Sequence, residues 1–243
     1  MRRIVDLFRF PDAPRLVSRW FWTLALIDLA LVALFLALRL MQGFDMIPRI
    51  PPRLDIFSDT GLPERFNHAK WAGIAFLLLL TFHRLRVPAL LAMSVLFLLI
   101  LADDSMRLHE RGSEALAILW PNMPTFGMTR AEAGEVTTWS LLGAVVVPIL
   151  AWGFLSTPRD WWPRIRWPML GFAGILFFAI GMDVAQQPLW FIDNQAIFYW
   201  GKLGLGLIED TGEAVFGSLT LAYCIGLWHL HARASEPVHA PAE

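Results

Sequence analysis

The sequence predicts an all-α membrane protein, a polytopic helical bundle of about six transmembrane helices with both termini in the cytoplasm. Three observations carry this prediction. The 243 residues are 56% hydrophobic and only 17% charged, whereas a soluble globular chain carries about 25% charged residues. Six stretches are apolar over lengths near the roughly 20 residues a helix needs to cross a bilayer. Lys and Arg are divided unevenly between the loops that these stretches define, which sets an orientation. The formal net charge of −1 gives no hint of a nucleic-acid partner. The partner implied is the lipid bilayer, with other membrane proteins or further copies of the chain as the protein partners open to it. The whole chain, 1–243, reads as one integral membrane domain.

The first span, 19–41, follows a polar, basic leader. It is too long for the apolar core of a cleavable signal, about 7–15 residues, and reads as a retained helix. Asp28 lies in its middle with no charged neighbour in the span. Residues 42–67 contain Pro48, Pro51, Pro52 and Pro63 and are expected to be mostly extended. Spans two and three, 68–84 and 87–102, are separated by Arg84-Leu85-Arg86 and then Val87-Pro88. Proline disfavours the helical region for the residue before it, so the two spans form a hairpin. The third is expected to continue as helix to about Gly112.

Span four, 136–157, is opened by Thr129 and Glu132, a capping-box spacing. Span five, 167–189, is preceded by Trp161, Trp162 and Trp167 beside Arg164 and Arg166, the composition of an interfacial aromatic belt. A separate amphipathic piece, 195–208, comes before span six, 211–231. The single cysteine, Cys224, excludes an intramolecular disulfide and reads as a core residue.

Six spans put both termini on one side. That side carries eleven Lys and Arg against five acids. The other side carries nine against fifteen, with Asp28 left inside span one. The basic side is the cytoplasmic one, so most acids face outward, to the periplasm of a bacterium.

Two acidic clusters stand at span boundaries. Asp103, Asp104, His109 and Glu110 follow span three; Glu209, Asp210 and Glu213 open span six. Carboxylates with one histidine suit a hard divalent cation, and these seven residues are the candidate ligands. His109, Glu110 and Glu213 are the catalytic candidates. On a helix over 103–114, Asp103, Arg107, Glu110 and Glu114 share one stripe, with Asp104 and Arg111 beside it and His109 pointing elsewhere. Glu209 and Glu213, one turn apart, repel unless a helix N-terminus or a cation relieves them. Asp28, Asp59, Glu64, Lys70, Arg107, Arg111 and Asp183 complete the polar network, and an isolated intramembrane acid such as Asp28 is a functional candidate facing the bundle interior. Gly201, Gly204 and Gly206 follow no strand, so they form no phosphate loop. Gly212 and Gly217 are expected to permit close helix packing.

Three motifs together carry a resemblance. They are Asp59-Thr60-Gly61-Leu62-Pro63-Glu64 running on to Lys70-Trp71, Asp103-Asp104 with Leu108-His109-Glu110, and Glu209-Asp210. In them the chain resembles a loose group of uncharacterised bacterial multi-span membrane proteins with D-x-x-x-P-E, D-D…L-H-E and E-D patterns. The likeness covers roughly 55–115 and 205–231. It implies a bacterial inner (plasma) membrane setting and brings no activity with it.

Two function classes follow. One is metal-assisted hydrolysis of a lipid-like substrate, with a divalent cation as cofactor and its bound water as nucleophile. The other is non-enzymatic: a membrane subunit, or a proton or small-solute transporter, whose acids form a charge-paired network.

Overall fold

A computed structural model describes residues 13–58, 60–125 and 128–233, with backbone alone at 183, 190, 191 and 233. Among the described residues there are seven α-helices and no strand. They are α1 (Pro14–Gly43), α2 (Leu62–Leu85), α3 (Pro88–Met106), α4 (Leu108–Leu119), α5 (Arg130–Leu155), α6 (Trp162–Gln186) and α7 (Gln195–Arg233). Short 3₁₀ turns lie at Pro52–Leu54, Arg159–Trp161 and Gln187–Phe191. Five helices are long and apolar enough to cross a membrane: α1, α3, α5, α6 with its flanking turns, and α7. The expected second span, α2, has Lys70 and Arg84 near its ends, which leaves 71–83 as its uncharged stretch.

The local reasons for these elements are mostly the expected ones. Pro14 and Pro88 open α1 and α3 in the first turn, where a missing N–H costs nothing. Thr129 and Glu132 form the reciprocal capping box at the start of α5. Arg86, in the left-handed region at φ 55°, turns the chain between α2 and α3. Pro63 lies inside the first turn of α2, so this proline begins a helix where extended chain was expected.

Two boundaries differ from the sequence reading. Helix does not run unbroken to Gly112: α3 ends at Met106, and Arg107 takes φ 54°, ψ 48° before α4 starts. The Asp103 carboxylate explains the break, because it accepts a hydrogen bond from the His109 backbone N–H at 2.9 Å. A local side-chain acceptor of this kind competes with the helical ladder. The single charged stripe over 103–114 is therefore cut at Arg107. The second difference is α7, which runs 39 residues without a break. Gly201, Gly204 and Gly206 within it cost about 1 kcal/mol each in helix propensity, and two of them stand at close packing contacts. A Cβ on Gly201 would stand 2.9 Å from Leu189, and one on Gly206 would stand 2.8 Å from Phe57. The Glu209–Glu213 segment thus lies within a helix, so no helix N-terminus relieves its charge.

The chain forms two compact units. The first comprises residues up to Lys70 and from Pro163 onward, so it holds α1, the start of α2, α6 and α7. Helices α1 and α7 pack along one another. The connection after α1 folds back onto them, burying Ile50 and Ile56 against Phe35, with Leu203 and Leu207 of α7 alongside. Between α6 and α7 the approach is close: a Cβ on Gly174 would meet the Phe216 ring, and one on Gly212 would meet the Phe178 ring.

The second unit, Trp71–Trp162, holds the rest of α2 with α3, α4 and α5. Ser94 of α3 donates to the Ala75 carbonyl of α2 at 2.8 Å. The Ala89 N–H, left over at the start of α3, donates to Thr157 Oγ1 at 2.9 Å, so a residue just past α5 caps it. Where α4 crosses α5, Ser113 Oγ donates to the Ala131 carbonyl at 2.9 Å.

Candidate functional site

The site is built from the centre of α1. Asp28 sits at the middle of this 30-residue helix and is 3% exposed. An ionised carboxylate there is costly unless fully compensated. Lys70, eight residues into α2 and 1% exposed, supplies the compensation. Its Nζ donates to Asp28 Oδ1 at 2.9 Å, to the Ala214 carbonyl at 2.9 Å and to Ser218 Oγ at 3.4 Å. Ser218 in turn donates to Asp28 Oδ2 at 2.5 Å. The ammonium also lies 4.9 Å from the centre of the Phe66 ring, a cation–π distance. All three ammonium protons and both carboxylate oxygens have partners, so α1, α2 and α7 are joined by one satisfied network.

Two cavities lie near this pair, the smaller against Asp28. The smaller, about 20 Å³, is bounded by Asp28, Asn67, Glu64, Asp210 and Ala214. A water needs roughly 10–15 Å³ measured this way, so it has room for about one. The larger, about 480 Å³, opens beyond it toward the Arg39 end of α1. Ile56, Glu64 and Asp210 line both, so these residues stand between the wide vestibule and the cavity beside Asp28.

The vestibule walls combine acids, bases and aromatic rings. Glu209 accepts a hydrogen bond from Gln186 Nε2 at 2.8 Å. Glu64 lies 3.1 Å from His68 Nε2, one turn on. Asp210 Oδ2 is buried without a hydrogen-bond partner among the described residues. Arg39 donates to Gln42 at 3.1 Å and its guanidinium lies over Phe35. Lys202 is exposed and lines the wall.

The second unit carries a separate polar centre at the α3–α4 break. Asp103, 2% exposed, receives the His109 backbone N–H on one oxygen, and His109 Nδ1 lies 3.0 Å from the other. The His109 ring stacks on Trp139 with centroids 5.7 Å apart. The hydrogen bond with Asp103 holds His109 above the ordinary histidine value of 6.5, against a smaller opposing effect of burial. Arg107 pairs with Glu110 at 2.6 Å on the surface.

The structure thus sorts the sequence-predicted residues into named neighbourhoods. Asp28 and Lys70 are bonded to each other. Glu64, Glu209 and Asp210 share the vestibule, while Glu213 is half-buried one turn beyond Glu209. Asp103 and His109 meet, contrary to the expectation that His109 points away, because the break at Arg107 rotates α4 relative to α3. Asp104 is half-buried and Arg111 exposed. Asp59 and the Asp183 side chain lie outside the described residues. Sequence reasoning missed Ser218, the Ala214 carbonyl, Arg39 and Gln186. The pairing itself had a signal: Asp28 is the one acid inside span one, Lys70 lies within span two, and intramembrane charges seek each other.

Residues 23–230 match the family model described as Domain of unknown function (DUF8692). The chain belongs to this family. The match runs from within α1 almost to the end of α7, so every residue of the Asp28–Lys70 network and of the vestibule lies inside the family domain. No curated protein and no solved structure matches the chain.

Proposed function

We propose that the chain is a non-enzymatic carrier that moves protons or a small cation across a bilayer, with Asp28–Lys70 as its working site. Its setting in this reading is a bacterial inner membrane, with six spans and cytoplasmic termini. The observation that carries it is the buried ion pair standing at the end of a stepped polar cavity. A fixed pair alone would serve to join helices. Here one side of Asp28 faces a water-sized cavity that shares Glu64 and Asp210 with a wide vestibule. A cation or proton entering by that route reaches a carboxylate already held by an ammonium, and binding one displaces the other. That competition is what couples arrival of a charge to a rearrangement of α1, α2 and α7. The charge asymmetry of the loops supports the orientation, and the apolar surfaces of α1, α5 and α6 support the bilayer setting.

Reconstitution in liposomes with an entrapped pH-sensitive dye tests this. Wild-type protein dissipates an imposed pH gradient in sodium or in potassium buffer faster than empty liposomes, and Asp28→Asn slows it at least tenfold. The Asp28→Leu, Lys70→Met double variant keeps the helices joined by apolar contact and is inert. A wild-type protein that moves neither protons nor sodium nor potassium overturns the reading. So does a folded Asp28→Leu, Lys70→Met variant with undiminished flux.

A further inference from the structure

One stripe of α1 is left uncovered by the described residues. At about 100° per residue, Val17, Leu24, Asp28 and Phe35 lie on the buried side of this helix. Asp28 meets Ser218 of α7, and Phe35 meets the connection after α1. Directly opposite run Arg15, Ser18, Arg19 and Trp22, all exposed. Leu26, Leu29, Leu36 and Leu40 continue the same stripe and are exposed as well. The chemistry changes in one direction along it: basic and hydroxylic at 15–19, aromatic at 22, aliphatic from 26 onward.

That order is the order of a phospholipid from headgroup to tail. From Trp22 to Leu40 the helix rises about 27 Å, close to the roughly 30 Å of a bilayer's hydrocarbon core. Set in a bilayer on that match, Trp22 stands at the boundary, where an indole is favoured. Arg19 then lies about 4–5 Å further out, at headgroup depth. Arg15 and Arg19 are one turn apart on one face, so two planar guanidinium forks reach toward the same phosphate, with the Ser18 hydroxyl between them. Neither arginine side chain has a hydrogen bond or ion pair with a described residue. The first turn of α1 holds no acid, and Asp28 points the other way. Charge complementarity therefore selects an anionic headgroup. The aliphatic run beyond Trp22 selects a molecule with acyl chains over a free anion.

We propose that this stripe is a docking site for an anionic phospholipid, its phosphate held by Arg15, Ser18 and Arg19 and an acyl chain laid along Leu26 and Leu29. A lipid bound there sits on the back of the helix whose buried side carries Asp28. The proposal rests on the bilayer setting of the reading above and not on ion movement.

Native mass spectrometry of the full chain in a neutral detergent tests it, with phosphatidylglycerol, phosphatidylcholine and inorganic phosphate as probes. Phosphatidylglycerol binds about tenfold more tightly than phosphatidylcholine, or better, and inorganic phosphate does not displace it. Arg15→Gln with Arg19→Gln abolishes the preference at an unchanged melting temperature. Arg86→Gln with Arg159→Gln, the same loss of charge from two exposed arginines elsewhere, leaves it intact. If the first pair does not fold, Arg19→Lys and Ser18→Val carry the test, each weakening phosphatidylglycerol about threefold or more, since a lysine lacks the planar fork. Equal affinity for the two lipids, displacement by inorganic phosphate, or equal effects of the two arginine pairs overturns the proposal. A chain that carbonate strips from liposomes overturns the bilayer setting and the docking site together. Lipid preference without ion flux leaves the proposal standing and removes the carrier reading; flux without lipid preference does the reverse.

Discussion

Asp28 and Lys70 are 42 residues apart in the chain and 2.9 Å apart in the fold. Removing one partner of a buried pair strands the other charge and costs about 3–5 kcal/mol, whereas replacing both with apolar groups of similar size is often neutral. Lys70→Met and Asp28→Leu are each expected to destabilise the protein by about that amount, and the double variant to recover most of it. Unfolding by a denaturing detergent in mixed micelles measures the cycle. Additive single effects would show that the pair contributes nothing as a pair.

Much of this fold is legible in the sequence, because bilayer crossing imposes a length and a polarity that composition reports directly. The capping box at Thr129 is legible too, since it depends on residues three apart. The vestibule is not. Phe57, Gln186 and Asp210 come from three separate segments, and no local pattern reports which loop folds back on which helix. The break at Arg107 was hidden for a related reason. Asp103 and His109 are spaced to diverge on a regular helix, and only their mutual hydrogen bonds make the irregular turn worthwhile for a residue without a glycine's freedom.

The Asp103–His109 contact should be pH-dependent. His109 is held above its ordinary value of 6.5, so the charged ring favours the folded state. That contribution is complete below pH 6.5 and is lost as pH rises through the raised folded value. Glu110 and Glu135 act in the same direction as Asp103. The stability difference between wild type and His109→Gln is therefore expected to be larger at pH 5.5 than at pH 8.5. A difference that grows with pH would contradict the assignment.

Gly134 and Gly143 lie on the same helix and should respond oppositely to alanine. A Cβ at Gly134 would stand 2.9 Å from Ser113 Cα, a backbone atom that cannot turn aside, whereas nothing lies within 4 Å of one at Gly143. Gly134→Ala is expected to cost about 1–3 kcal/mol through overpacking. Gly143→Ala is expected to gain up to about 1 kcal/mol in helix propensity. Thermal unfolding in one detergent compares them, and equal shifts would refute the close α4–α5 crossing.

Thr157 tests the cap on α3. Its Oγ1 accepts from Ala89 N–H while donating to the Gly153 carbonyl at 2.7 Å. Thr157→Val keeps the shape and leaves the buried Ala89 N–H unpaired, at about 1–3 kcal/mol. Thr157→Ser should restore most of that. Amide exchange at Ala89 reads the cap directly: it accelerates in the valine variant and returns toward wild type in the serine variant. Equal exchange in all three proteins would remove the cap from the account.

One of the three acceptors around the Lys70 ammonium is main chain: the carbonyl of residue 214. That oxygen is present whatever small side chain stands at 214, so drift at this position is silent to the lysine. The two side-chain acceptors have no such protection. In a random library, compensating changes for a damaged pair would therefore gather at 28, 70 and 218 and leave 214 untouched. The mutational record of a protein built this way would mark its working residues while hiding one of the atoms they depend on.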